Sequence, residues 1–199
     1  MTALIGITCD SRGSNAPRPG APTDEAADDQ SEPRYAASAA CAEAVVRAGG
    51  APVFLPFAAD AIEAYLETCH GFILVGEGDP DLEPFGQSNH ARAQPCDPDW
   101  QAFATAMLAA LDDRTHPVLG IDLGMRLMAL HDGGTLHAHL PDALAPDAAA
   151  QHLAGDHPID RIVDAHEVLP TTGCVASAHH QAVAHPGRMR AVAAAADGL

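Results

Sequence analysis

Short apolar runs alternate with helical spacing along the first two thirds of the chain. Ala3–Thr8 is a compact apolar run and predicts a buried strand. Residues 11–33 are rich in Pro, Gly, Ser, Asp and Ala and predict a long mobile loop. Tyr35–Ala48 has helical spacing and stops at Gly49-Gly50. Pro52–Pro56 predicts a strand, Ala59–Cys69 a helix with Asp60 near its start, and Gly71–Val75 a third buried strand. Gly76–Asp81 is an acidic, glycine-containing turn, and the segment from there to Cys96 predicts loop. Asp97 or Asp99 then caps a helix that runs towards Asp113.

Pro117–Ile121 is again apolar and partly β-branched, and a helical pattern begins immediately after it, ending at Gly133-Gly134. That is a strand, a sharp elbow and a helix, with Asp122 at the tip. Alternating strands and helices predict an α/β fold with a parallel sheet and crossover helices. Ligands bind such sheets at the carboxyl ends of the strands. Gly76–Asp81 and Asp122 both fall on that edge. The last third differs. Residues 141–158 are rich in Ala, Asp and Pro and predict loop. Ile159–Val163, Glu167–Leu169, Cys174–Ala178 and Met189–Ala195 predict short strands. Asp197-Gly198 is a hairpin-turn signal with no return strand after it.

Composition narrows the partners. The 199 residues fit one domain, 1–199, and 47% hydrophobic residues suit a globular protein. The formal charge is −17, and all ten basic residues are arginine. Such an acidic chain is a poor partner for nucleic acid or an anionic membrane. Five scattered cysteines without a CxxC pattern suit reduced thiols, and hence a cytoplasmic location. Met1–Asp10 has no basic flank and reads as a first strand, not a leader. No segment reaches transmembrane length. Twelve histidines invite a metal reading, but none of their spacings matches a strong zinc pattern such as HExxH. No metal and no cofactor are therefore expected, and His137-x-His139 and His179-His180 are read as hydrogen-bonded or surface histidines.

Several segments together resemble a known family: Leu4–Thr8, Ala48–Val53, Gly76–Gly86, Val118–Leu140 and Ser177–Val183. Their order, and above all the run Gly120–Arg126 with Gly133–Leu136, resembles the class I glutamine amidotransferase-like proteins. Within them the chain is most similar to the γ-glutamyl-γ-aminobutyrate hydrolases of the peptidase C26 group. The resemblance spans nearly the whole chain. It implies a flavodoxin-like three-layer α/β sandwich with a mostly parallel sheet. It also implies a cysteine nucleophile at the elbow, an oxyanion hole beside it, a His-x-Glu pair that activates the cysteine, and a γ-glutamyl substrate.

Carried over by position, the nucleophile falls on Asp122. The oxyanion hole falls on Leu123 and on the glycine turn with Gly76 and Gly78. A substrate-holding glutamine falls on Arg126, and a binding segment falls on Ala176–Gln181, with His179, His180 and Gln181 in place. An Arg-Asp pair of the preceding helix falls on Trp100-Gln101. The residues stop at Leu199, before the His-Pro-Glu position, so a fold truncated at the C-terminus is expected.

These departures bear on chemistry. A thiolate at a helix N-terminus attacks an amide and forms a thioester that water cleaves. A carboxylate would have to form an anhydride while expelling an amine, and it sets fixed negative charge beside the site of a developing oxyanion. Three readings of Asp122 stay open. It caps the elbow helix and pairs with Arg126 one turn on, it retains a catalytic role, or Arg126 holds a ligand carboxylate. The expected function is a γ-glutamyl amide hydrolase by descent with impaired catalysis. The alternative is a non-catalytic protein that binds a small amino-acid-like ligand or a protein. A homodimer or a separate C-terminal partner chain would cover the sheet edge.

Overall fold

The structure is a computed structural model that describes residues 1–12, 34–162 and 172–199. It divides into two compact units, Met1–Asp81 with Gln94–Met128, and Leu82–Ala93 with Ala129–Leu199. The predicted mobile loop lies mostly outside the described residues, as does the predicted strand Glu167–Leu169.

The first unit is built on β1 (Leu4–Thr8), β2 (Asp10–Arg12), β3 (Arg34–Ala36), β4 (Ala51–Leu55), β5 (Gly71–Gly76) and β6 (Val118–Asp122). Four of these form one sheet in the order β4-β1-β5-β6, with every pair parallel. Parallel neighbours need crossovers, and helices α1 (Ala39–Arg47), α2 (Ile62–Thr68) and α3 (Pro98–Leu111) lie between them in the chain. Residues 71–74 of β5 are all buried, as expected for a central parallel strand. Ile7, Val45 and Ile73 form a core beside the sheet, with Ile5, Cys41, Ala42 and Val75 packed against it. Pro98 opens α3, and the Asp97 side chain accepts the Asp99 N–H at 2.9 Å, so Asp97 is the cap.

One helix starts later than its spacing predicts. Residues 34–36 pair with β2 instead, and α1 begins after Ser38. Tyr35 packs edge-on against Phe57 at 5.0 Å, a contact that its place in the helical pattern does not reveal.

The elbow joins β6 to α4 (Leu123–His131), whose residues from Ala129 belong to the second unit. Two glycines make this turn fit. A Cβ on Gly120 would stand 2.6 Å from the Met125 backbone, and one on Gly124 would run into the Leu74 carbonyl oxygen.

The second unit contains β7 (Thr135–His137), α5 (Leu140–Ala143), α6 (Pro146–Ala154), β8 (Gly155–Arg161), β9 (Thr172–Ser177), β10 (Ala182–His185) and β11 (Ala193–Ala195). Its strands are antiparallel, in a β11-β8-β9 sheet and a β10-β7 pair. The loop expected at 141–158 is not one. That stretch holds most of α5, all of α6 and the start of β8. Pro146 sits at the first turn of α6, and alanine is the commonest residue in the rest of that helix. A composition that resembles loop is therefore that of a helix start and a strong helix former. Strand β10 has no counterpart among the strands expected from the sequence. Leu82, Leu130 and Leu136 form this unit's core with Phe85, Ala138 and Val183. Among the described residues, no helix is long and apolar enough to cross a membrane.

Gly124→Ala is expected to cost about 1–3 kcal/mol by overpacking the elbow against β5. A lowered urea midpoint with an unchanged slope would show it, and an unchanged midpoint would refute the close approach.

Candidate functional site

Strand β6 delivers Asp122 to the carboxyl edge of the parallel sheet, in register with Gly76 of β5. Asp122 has φ 49°, and it is the only described non-glycine residue with positive φ. This left-handed conformation is what a strand-to-helix elbow demands of its tip, and Asp is among the residues that tolerate it. Leu123 opens α4 with its side chain fully buried, so its N–H belongs to the unsatisfied first turn of the helix. Gly76, Asp122 and Leu123 are thus gathered at one point. A Cβ on Gly76 would collide with the Trp100 ring at 2.7 Å. That indole donates its N–H to the Val75 carbonyl at 3.1 Å.

Arg126 points back from the first turns of α4 into this edge. Its side chain is 5% exposed and makes a double ion pair. Nη1 lies 3.0 Å from Asp79 Oδ1, and Nη2 lies 2.9 Å from Asp122 Oδ1. Nη2 also donates to the Gly78 carbonyl at 3.1 Å. The i, i+4 pairing of Asp122 with Arg126 is the arrangement the spacing allows. Asp79, by contrast, reads in the sequence only as one acid of the Gly76–Asp81 turn. It is 3% exposed, and its second oxygen accepts the Gln94 N–H at 2.7 Å. The group is therefore two carboxylates on one guanidinium, with one formal negative charge in excess.

The turn between β5 and Asp81 is held by its own backbone. Gly78 has φ 87°, and a Cβ there would meet the Gln94 carbonyl at 2.9 Å. Asp79 exchanges backbone hydrogen bonds with Gln94 and Cys96, at 2.7 and 2.9 Å. Gln101 clamps the far end, accepting the Asp81 N–H at 2.7 Å and donating to its carbonyl at 3.0 Å. Trp100 and Gln101 thus fix the turn through a ring and an amide.

Cysteine chemistry is weak near this edge. Burial, followed by the charge of Asp97, pushes the Cys96 thiol up to about 12. Burial also raises Cys9 and Cys69. Thiolate, the reactive form, is scarce at all three at neutral pH.

The expected binding segment lies in the second unit, between β9 and β10. His179 Nδ1 bonds the Gln181 carbonyl at 2.9 Å, and its ring lies 5.1 Å from that of His152. His180 Nδ1 lies 3.2 Å from His139 Nδ1, and His139 stacks on His90 at 4.5 Å. Gln181 is 2% exposed. Each of the three is engaged inside its own unit. His139 is held below the ordinary histidine value, first by burial and then by the nearby His90. His90 also faces Asp142, 3.1 Å away.

With its four-stranded parallel sheet, the chain has a flavodoxin-like α/β fold that it shares with solved glutamine amidotransferase-type structures. Residues 4–199 match the family described as Peptidase C26, and the chain belongs to that family. It is 30% identical over 162 residues to a Mycobacterium tuberculosis protein named "Putative glutamine amidotransferase", covering 76% of this chain and 52% of that one. A Rickettsia prowazekii "Putative glutamine amidotransferase-like protein" is 32% identical over 112 residues, covering 55% and 40%. The chain thus spans about half the length, or less, of these two relatives. The crystal structure of a glutamine amidotransferase from Thermotoga maritima aligns with 98% of the chain and 68% of its own, at TM-score 0.61 and 11% identity. This likeness is one of fold.

Arg126→Met is expected to cost about 3–5 kcal/mol, because it strands the buried Asp79 carboxylate. Asp122→Asn should cost less than about 1 kcal/mol, since the Asp122 side chain is 53% exposed. Equal losses in denaturant unfolding would contradict the burial asymmetry. A second expectation concerns pH. His139 binds its proton less readily folded than unfolded, so stability falls as pH drops below the unfolded value near 6.5, and the loss levels off below the folded value. His139→Gln should flatten that slope in unfolding measured from pH 7.5 to 5. An unchanged slope would remove His139 as a source.

Proposed function

We propose that this chain is a γ-glutamyl amide hydrolase-like protein of the γ-glutamyl-γ-aminobutyrate hydrolase kind whose elbow no longer performs thioester chemistry. In this reading Asp122 stands at the family's cysteine position. The observation that carries the reading is the ion-paired group Asp122–Arg126–Asp79. It supplies a carboxylate where a thiolate is needed. Its excess negative charge also opposes the oxyanion that amide attack must develop beside Leu123 and the glycine turn. The raised Cys96 thiol offers no substitute nucleophile.

The same group supports a role in holding a small γ-glutamyl or amino-acid-like ligand. Asp122 is its half-exposed member. A ligand carboxylate would reach Arg126 by displacing Asp122, which exchanges one charge-assisted pair for another at the same guanidinium.

Glutamate release from a panel of γ-glutamyl amides, including γ-glutamyl-γ-aminobutyrate and glutamine, tests the first part. Wild type and Asp122→Ala are both expected to stay at the level of buffer. Turnover in wild type that disappears in Asp122→Ala would overturn the reading and make Asp122 a working catalytic group. Titration with the same compounds tests the second part. Asp122→Asn removes the competing charge and should bind them more tightly than wild type does. Weaker binding by Asp122→Asn would refute displacement.

A further inference from the structure

Three histidines of the second unit converge. His152 comes from α6, His157 from β8 and His179 from the turn after β9. One ring nitrogen from each lies within 4.8 Å of the others. His152 is 2% and His157 6% exposed. The His179 N–H donates to the His152 carbonyl at 2.9 Å, and β8 pairs with β9, so the three positions are tied by backbone as well.

What distinguishes this cluster is how each ring is held. His152 Nε2 lies 2.8 Å from Asp197 Oδ2. His157 Nδ1 lies 3.2 Å from the Pro158 carbonyl, and His179 Nδ1 lies 2.9 Å from the Gln181 carbonyl. A carboxylate or carbonyl accepts, so in each ring that nitrogen carries the proton. The basic lone pair then falls on the opposite nitrogen, namely Nδ1 of His152, Nε2 of His157 and Nε2 of His179. His152 Nδ1 is buried without a hydrogen-bond partner. Burying a polar atom in this state costs free energy that a ligand on the lone pair would recover. His157 Nε2 now faces the Ser177 hydroxyl at 2.7 Å, a contact a cation would replace.

We propose that His152, His157 and His179 form a binding site for a zinc-class divalent transition-metal ion. Three neutral imidazoles suit such an ion and not magnesium or calcium. Histidine ligands characteristically donate their other N–H to a carboxylate or carbonyl, which fixes the tautomer and raises ligand basicity. Asp197 and the Pro158 and Gln181 carbonyls occupy that supporting position. Ligand atoms at 2.0–2.1 Å around a tetrahedral ion stand about 3.4 Å apart, so the three rings must draw together by rotamer adjustment to close the set. A cavity of ≈ 290 Å³, lined in part by Gln151, His152, His157 and Asp197, gives a route for the ion and room for water as fourth ligand. The ion would staple α6 to the β8–β9 sheet and, through Asp197, to the segment after β11.

The test uses full-length chain stripped with chelator and titrated with ZnCl₂ alone by calorimetry at pH 7.5. One tight ion per chain is expected. His152→Gln should weaken that site at least about 100-fold. Asp197→Asn should weaken it about 10- to 100-fold while leaving all three ligands in place. X-ray absorption of the zinc-loaded wild type should show three nitrogen neighbours at 2.0–2.1 Å, and this reading needs no variant to fold. Absence of a one-to-one site would overturn the proposal. So would equal binding by wild type, His152→Gln and His179→Gln, because the ion would then sit on other histidines.

Discussion

The elbow region depends on burying one guanidinium. Arg126 sits near the start of α4 at the sheet's carboxyl edge, where water is largely excluded. A lone cation there would be costly, and so would the Asp79 carboxylate. Each makes the other tolerable, and together they tie the elbow helix to the turn after β5. Asp122 joins them from the exposed side. The buried pair is neutral as a whole, and the excess negative charge of the group rests on the half-exposed Asp122. Asp122 can therefore be replaced with little disturbance of the buried Arg126–Asp79 pair beneath it.

The parallel half of the fold is legible in the sequence because it is built from local signals. Apolar runs such as Gly71–Val75, the Asp97 cap and Gly49-Gly50 each act within a few residues of themselves. The Asp122–Arg126 pair is legible for the same reason, being one helical turn long. Asp79 is not, because its partner lies 47 residues away and nothing in Gly78-Asp79-Pro80 marks a buried acid. The alanine-rich α6 is easily taken for loop because alanine, aspartate and proline serve helix starts and loops alike.

The histidines show the same limit more sharply. Spacings of five and twenty-two residues separate His152, His157 and His179, and no short motif contains them. Only the antiparallel pairing of β8 with β9, and α6 leading straight into β8, bring them together. Which nitrogen carries the proton is a further layer, set by Asp197 and by two backbone carbonyls.

The left-handed backbone at Asp122 also restricts what this position can become. A residue with φ near 49° must be glycine or a side chain that tolerates crowding by its own carbonyl, and asparagine and aspartate do so best. Branched or bulky apolar residues are excluded there whatever their chemistry. The backbone conformation of the turn thus keeps a polar group at the sheet edge.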